Sequence, residues 1–242
     1  MRPPQPDDRH HALTELREAI RRIERRPARR SGTVPSGLAE VDAALPGGGF
    51  PRGAICELVG GVASGKTAVA LSVLASLGER DVFAWIDGRG EMYPPAAAAR
   101  GVDLGRLLIV RPGMKPGDVP SPRPSTPRSP SETATLRAVG PLGDGAVHAC
   151  LWAAEALLGS SAFAAVVMDV PLLRAGRGWD AMSRRLQAAA ERGGALGLWL
   201  TPPRASVRVP ATLRLDLRSE GGRVVARRTM GGMAVERRGH VA

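Results

Sequence analysis

Short, nearly uninterrupted apolar runs recur along the chain at 54–59, 81–87, 107–110, 164–170 and 195–201. Each is bounded by glycine, proline or charged residues. Runs of that length predict strands covered on both faces. Between them lie stretches with helical spacing, at 66–77, 94–100, 146–158 and 180–192. Strands alternating with helices predict an α/β fold with a mostly parallel central sheet and flanking helices. The last two apolar stretches, 212–218 and 223–229, differ from the rest. They alternate apolar residues with arginine and are joined by Gly221-Gly222, which predicts a C-terminal antiparallel hairpin with one wet face, at the sheet edge.

Outside this frame the pattern changes. Over 11–26 the apolar positions Leu13, Leu16, Ile20 and Ile23 fall at helical spacing opposite an arginine-rich face. A basic linker follows, through Arg29 and Arg30 to Gly32. A second short helix is predicted over 36–42, ended by Pro46-Gly47-Gly48-Gly49. Residues 111–135 are rich in proline and serine and have no apolar periodicity, so they read as an extended, disordered insertion: a linker, or a tether for a partner. The chain thus divides into a basic helix and linker (1–32), a core (33–110 and 136–229) interrupted by that insertion, and a basic tail (230–242).

Composition adds two constraints. With 242 residues, 43% of them hydrophobic, the chain can bury a core. No apolar run approaches the roughly 18–20 residues of a membrane span, and the first residues are polar, so a cytoplasmic protein is expected. Cys56 and Cys150 lie among apolar residues without metal-ligand neighbours and read as reduced core thiols. The net charge of +11 sits at the two ends, with +4 over 1–30, +6 over 200–242 and +1 between them. Such ends suit a polyanion or an acidic partner, or are solvated surface. An aromatic content of 3% argues against base-stacking platforms.

The chemistry is concentrated at Gly60, Gly61, Val62, Ala63, Ser64, Gly65, Lys66 and Thr67. Glycines at the first and sixth positions let successive backbone N–H groups turn toward phosphate oxygens. The lysine meets the β- and γ-phosphates, the threonine hydroxyl can hold Mg²⁺, and the following helix adds its positive end. The chain has only two lysines against 32 arginines, and one of the two stands in this motif. A guanidinium cannot replace the compact ammonium there. Asp169, closing the apolar run 164–169, is the expected second metal-orienting residue. ATP and Mg²⁺ are the expected ligands.

Residues 36–77, with the loop and the short helix and glycine turn before it, resemble the start of the RecA recombinase core. The resemblance continues through Trp85-Ile86-Asp87, Arg100 to Leu104, and Leu213 to Arg218. It implies a RecA-like nucleotide-binding core. Leu151 to Glu155, Arg185 to Glu191 and Gly193 to Gly197 are similar to ImuA, a family of RecA-like accessory proteins of damage-induced mutagenesis. That resemblance implies partnership with RecA, with an inactive Y-family polymerase-like protein and with an error-prone replicative-type polymerase.

Departures from the RecA pattern bear on function. The acid expected two residues after Asp87 to activate water is replaced by Arg89, which cannot act as a base at neutral pH; Glu91 is near but out of register. Thr201 stands where RecA has a glutamine that senses the γ-phosphate. The two DNA-gripping loops are shortened to 171–179 and 202–210. They still offer Arg174, Arg177, Arg204 and Arg208, either to DNA phosphates or to solvent. Leu13, Leu16, Ile20 and Ile23 are expected to dock on RecA, on another copy of the chain, or back on their own domain. Three functions follow: an ATP-binding accessory factor of translesion mutagenesis with weak DNA contacts and at most weak ATPase activity; a filament-forming, DNA-dependent ATPase using Glu91; or a regulatory ATPase of this fold without a nucleic-acid role.

Overall fold

The computed structural model describes residues 32–111, 144–172, 178–205, 207–230 and 233–234. The order is β1 (Thr33–Val34), α1 (Ala39–Ala43), β2 (Phe50–Pro51), β3 (Ile55–Val59), α2 (Lys66–Ala75), β4 (Val82–Asp87), α3 (Pro94–Ala98) and β5 (Leu107–Val110). Then come α4 (Asp144–Gly159), β6 (Phe163–Asp169), α5 (Trp179–Gly193), β7 (Leu196–Thr201), β8 (Leu213–Glu220), β9 (Arg223–Met230) and β10 (Met233–Ala234).

Eight strands form one sheet in the order β10-β9-β8-β3-β7-β6-β4-β5. From β8 to β5 all neighbours are parallel, while β9 and β10 run antiparallel. The expected α/β architecture is therefore present. The crossover order sets the loop-bearing β3 between β7 and β8, with two strands, β7 and β6, separating it from β4. The hairpin β8–β9 turns through Gly221 and Gly222, both at positive φ (57° and 78°), as a tight two-residue turn requires. It lies toward the edge as expected, but β10 adds one more strand outside it, within the range read as tail. β1 and β2, too short to show in a hydrophobic pattern, pair antiparallel in a separate ladder.

Alternation along the strands divides the core in two. Cys56 and Leu58 point with Phe83, Trp85, Val167, Leu198 and Leu215 to the face covered by α2, whose Val69, Ala70, Val73 and Leu74 are buried. Ile55 points with Ala84, Ile86, Val166, Met168 and Trp199 to the opposite face, covered by α4 and α5. Those two helices touch backbone to backbone at Gly193. A Cβ there would stand 1.9 Å from the Leu158 carbonyl oxygen, so only glycine permits the packing. Gly194 then ends α5 at φ 69°, the left-handed cap that glycine favours. Among the described residues no helix is long and apolar enough to cross a membrane.

Some expectations fall outside the described residues. These are the helix carrying Leu13, Leu16, Ile20 and Ile23, the insertion beyond Arg111, the arginines Arg174 and Arg177, and the end of the basic tail.

Candidate functional site

The parallel strands end together on one side. Val59 of β3 is in register with Thr201 of β7, and Asp87 of β4 with Asp169 of β6. Loops leaving the C-terminal ends of parallel strands form the crevice where α/β sheets bind ligands. Here they enclose a cleft of about 750 Å³. All eight residues of the phosphate-loop motif line it, together with Arg89, Glu91, Arg100 and Asp169. The sequence separates Arg89 from Asp169 by 80 positions, and the strand order makes them neighbours.

The loop is built for close backbone approach. A Cβ on Gly60 would lie 2.3 Å from Ser64 Oγ and 2.8 Å from the Leu217 carbonyl oxygen. Gly65 has φ 92°, and a Cβ there would lie 2.5 Å from Val224 Cγ2 of β9. Both motif glycines are therefore fixed by packing as well as by the phosphate path. The Gly60 N–H donates to the Thr201 carbonyl (3.1 Å), which joins the loop to β7. Gly65 is the residue before the first turn of α2, so the positive helix end faces the cleft. Lys66 folds over the loop. Its ammonium donates to the carbonyls of Gly60 and, at 2.9 Å, of Gly61. Burial lowers its pKa, the Arg89 charge lowers it further, and Asp169 opposes both. These features fit a polyphosphate.

The metal side of the cleft fits less well. Thr67 is exposed at the start of α2 and is open to a cation. Asp169 is already engaged: Arg89 Nε donates to its Oδ1 at 2.8 Å. Burial pushes the Asp169 carboxyl up to about 6; Arg89 pulls the other way, and the nearby charges of Asp87 and Glu91 add to the rise. The hydrogen bond alone would lower the value, but the residue is only 9% exposed and desolvation outweighs it. Of the two protein ligands expected for Mg²⁺, one is available and the other faces a guanidinium.

Asp87 is similarly occupied. It is 2% exposed and accepts from the Glu91 N–H (3.0 Å), the Met92 N–H (3.2 Å) and Arg111 Nε (2.8 Å). Its role in this structure is to fold the turn at 88–92. That turn places Arg89 on Asp169 and leaves Glu91 exposed in the cleft wall. Glu91 is thus brought to the cleft, while Arg89 holds the position nearest the carboxylate.

Thr201 does not face the cleft as a sensor would. It is 4% exposed, and its hydroxyl donates to Glu57 Oε1 at 2.8 Å. Glu57 itself is 1% exposed within β3, and its Oε2 lies 2.6 Å from Arg214 Nη2 on β8. Burial raises the Glu57 pKa, against the opposing hydrogen bond from Thr201 and charge of Arg214. This polar trio within the sheet was not foreseen. The signal available in the sequence was an acid inside an otherwise apolar strand, which is expensive without a partner.

Of the loop arginines, Arg204 and Arg208 are exposed. Val207 and Val209 are buried on either side of Arg208, and its carbonyl accepts from Trp179 Nε1 at 3.1 Å, so this segment is pinned to the core. Arg208 lines a second cleft, about 890 Å³, with Arg214, Asp216 and Arg228. The structure therefore places Arg208 away from the phosphate loop, and Pro203 lines both clefts. Cys56 and Cys150 are free and fully buried, as expected; burial lifts their thiols to about 12 and about 11. Among the described residues no cluster of three or more His, Cys, Asp or Glu is arranged to hold a metal.

Comparison with known proteins agrees with this geometry. Residues 15–117 match the RecA N-terminal domain. The chain is 42% identical over 95 residues to Protein RecA of Lactobacillus delbrueckii subsp. bulgaricus, a stretch covering 39% of this chain and 29% of that protein. Protein RecA of Picosynechococcus sp. is 42% identical over 95 residues (39% and 27%), and that of Mycoplasma pneumoniae 44% over 81 residues (33% and 24%). The chain spans less than a third of the length of the curated relatives it matches. The match to the RecA N-terminal domain takes in fewer than half of the residues, and the sheet topology is consistent with a RecA-like core.

Proposed function

We propose that the chain is an ATP-binding, RecA-like accessory factor of the DNA damage response that supports translesion mutagenesis through protein contacts and weak DNA binding, with nucleotide turnover slow or absent. The observation that carries this reading is the pair Arg89–Asp169. A phosphate loop with its lysine and both critical glycines in place argues for retained nucleotide binding. A cation in place of the water-activating acid, bonded to the carboxylate that would orient Mg²⁺, argues against efficient hydrolysis. The partners proposed are RecA and a Y-family polymerase-like mutagenesis protein, met through Leu13, Leu16, Ile20 and Ile23. DNA phosphates would be met by Arg204 and Arg208, with Arg174 and Arg177 on the companion loop. Self-association through the same N-terminal helix is the competing use of those apolar residues.

A second reading, an active DNA-dependent ATPase, is favoured by one observation: Glu91 lines the cleft and is exposed there. Turnover separates the two. ATP hydrolysis is measured with and without single-stranded DNA for the unaltered chain, Lys66→Ala and Glu91→Gln. Binding without appreciable turnover supports the accessory reading. Strong DNA-stimulated hydrolysis, lost in both variants, overturns it. A regulatory role without nucleic acid predicts no DNA affinity even at low salt, where phosphate contacts are strongest.

A further inference from the structure

We infer that Arg89 takes the place of the divalent metal in the nucleotide site, so that the chain binds ATP without Mg²⁺. This rests on the nucleotide-binding reading above and specifies how that site meets its ligand.

Three placements carry the inference. Arg89 Nε is 2.8 Å from Asp169 Oδ1, so the guanidinium is anchored by the side chain that should face the cation. Asp169 is nearly buried, while Arg89 retains about a third of its side-chain exposure, so the free edge of the guanidinium is the part that meets the cleft. The cleft is lined by three cationic side chains, Lys66, Arg89 and Arg100, against Glu91 and Asp169. With Asp169 matched to Arg89, Lys66 and Arg100 outnumber Glu91 as cations for a polyphosphate.

The chemistry is consistent with this exchange. A guanidinium carries five N–H donors in a planar fork. One donor is used on Asp169, and among the described residues Arg89 has no second acceptor. The two terminal nitrogens remain to form paired hydrogen bonds with phosphate oxygens. Mg²⁺ in phosphate-loop proteins neutralises and bridges the same oxygens, held by the loop hydroxyl and the strand-end acid. Here the acid is spent on a cation that is part of the chain. A divalent ion arriving with ATP would have to displace a charge-assisted, partly buried hydrogen bond to reach its ligand.

The test is ATP affinity by titration calorimetry, in excess EDTA and in millimolar Mg²⁺, for the unaltered chain, Arg89→Ala, Asp169→Asn and Lys66→Ala. The unaltered chain should bind ATP in EDTA within about threefold of its affinity in Mg²⁺. Arg89→Ala should make binding depend on Mg²⁺ by about tenfold or more, because Asp169 is released to the metal. Asp169→Asn weakens the anchor of the guanidinium and should weaken binding in EDTA by about threefold or more, with no further loss in Mg²⁺. A loss confined to Mg²⁺ overturns the inference, so the test stands even if Arg89→Ala does not fold. Weakening of the unaltered chain beyond threefold in EDTA overturns the inference and leaves the nucleotide site standing. Absence of ATP binding in either condition, by protein with a cooperative melt, removes the nucleotide reading and this inference together. Binding that survives Lys66→Ala unchanged places ATP elsewhere and overturns both as well.

Discussion

Asp169 gives a prediction about stability that needs no ligand. Its carboxyl is pushed up to about 6 from an ordinary value of 3.8 because burial outweighs the Arg89 hydrogen bond. The folded chain therefore holds the Asp169 proton more tightly than the unfolded chain does. A raised folded value means that this group's contribution to stability is present in full below about pH 4 and is lost as pH rises toward 6. The gap between 3.8 and about 6 corresponds to about 3 kcal/mol. Asp169→Asn removes the titration and keeps the shape. The difference in unfolding free energy between variant and unaltered chain should move by up to about 3 kcal/mol in the variant's favour between pH 4 and pH 7.5. Urea unfolding followed by tryptophan fluorescence measures it, since Trp85 and Trp199 are buried and report on both halves of the core. Glu57, also raised by burial, titrates in both proteins and cancels in the difference. A difference that stays constant across this range, or moves toward the unaltered chain, refutes the reasoning.

Other outcomes follow from the packing. Gly193→Ala sets a Cβ against the Leu158 carbonyl and should cost about 3 kcal/mol or more, seen as a lowered Tm or loss of folded protein. Arg214→Ala leaves buried Glu57 with Thr201 as its remaining hydrogen-bond partner among the described residues, and should cost up to about 3–5 kcal/mol; adding Glu57→Gln should recover a large part, as read from urea midpoints of the single and double variants. Cys56 and Cys150, buried and with thiols lifted to about 12 and about 11, should resist a thiol reagent at pH 8 in the native protein and both react in denaturant. Rapid labelling of either in the native state counts against the core assignment.

Much of the fold was legible because its signals are local. A buried parallel strand is a short apolar run, and 54–59, 164–170 and 195–201 came within a residue or so of β3, β6 and β7 at either end. Gly221-Gly222 announced the hairpin for the same reason: two residues at positive φ tolerate little else. The phosphate loop was legible because its chemistry depends on fixed spacing within eight residues. What the sequence withheld was pairing across distance. Arg89 was visible as a missing acid but not as the partner of Asp169, since only the order β6-β4 brings the ends of those strands together. Thr201 was legible only as the replacement of a sensing glutamine, whereas the neighbour it bonds, Glu57, lies 144 residues away. Glu57 was hidden by the apolar company it keeps in β3. β1, β2 and β10, at two residues each, are below the length at which periodicity has meaning.

The place of β3 in the sheet has a consequence for how the chain is made. The stretch that resembles RecA, 15–117, contains β3, β4 and β5 of the main sheet. Of these only β4 and β5 touch; β3 has β7 on one side and β8 on the other. The strand that carries the phosphate loop therefore leaves the ribosome early and waits, with both edges bare, until residues 196–201 and 213–220 have been synthesised. Closing so distant a ladder is slow, and an unpaired apolar strand is a template for wrong pairing while it waits. The stretch matched to RecA thus lacks both neighbours of its own loop-bearing strand. Its phosphate loop is framed by strands that lie outside residues 15–117.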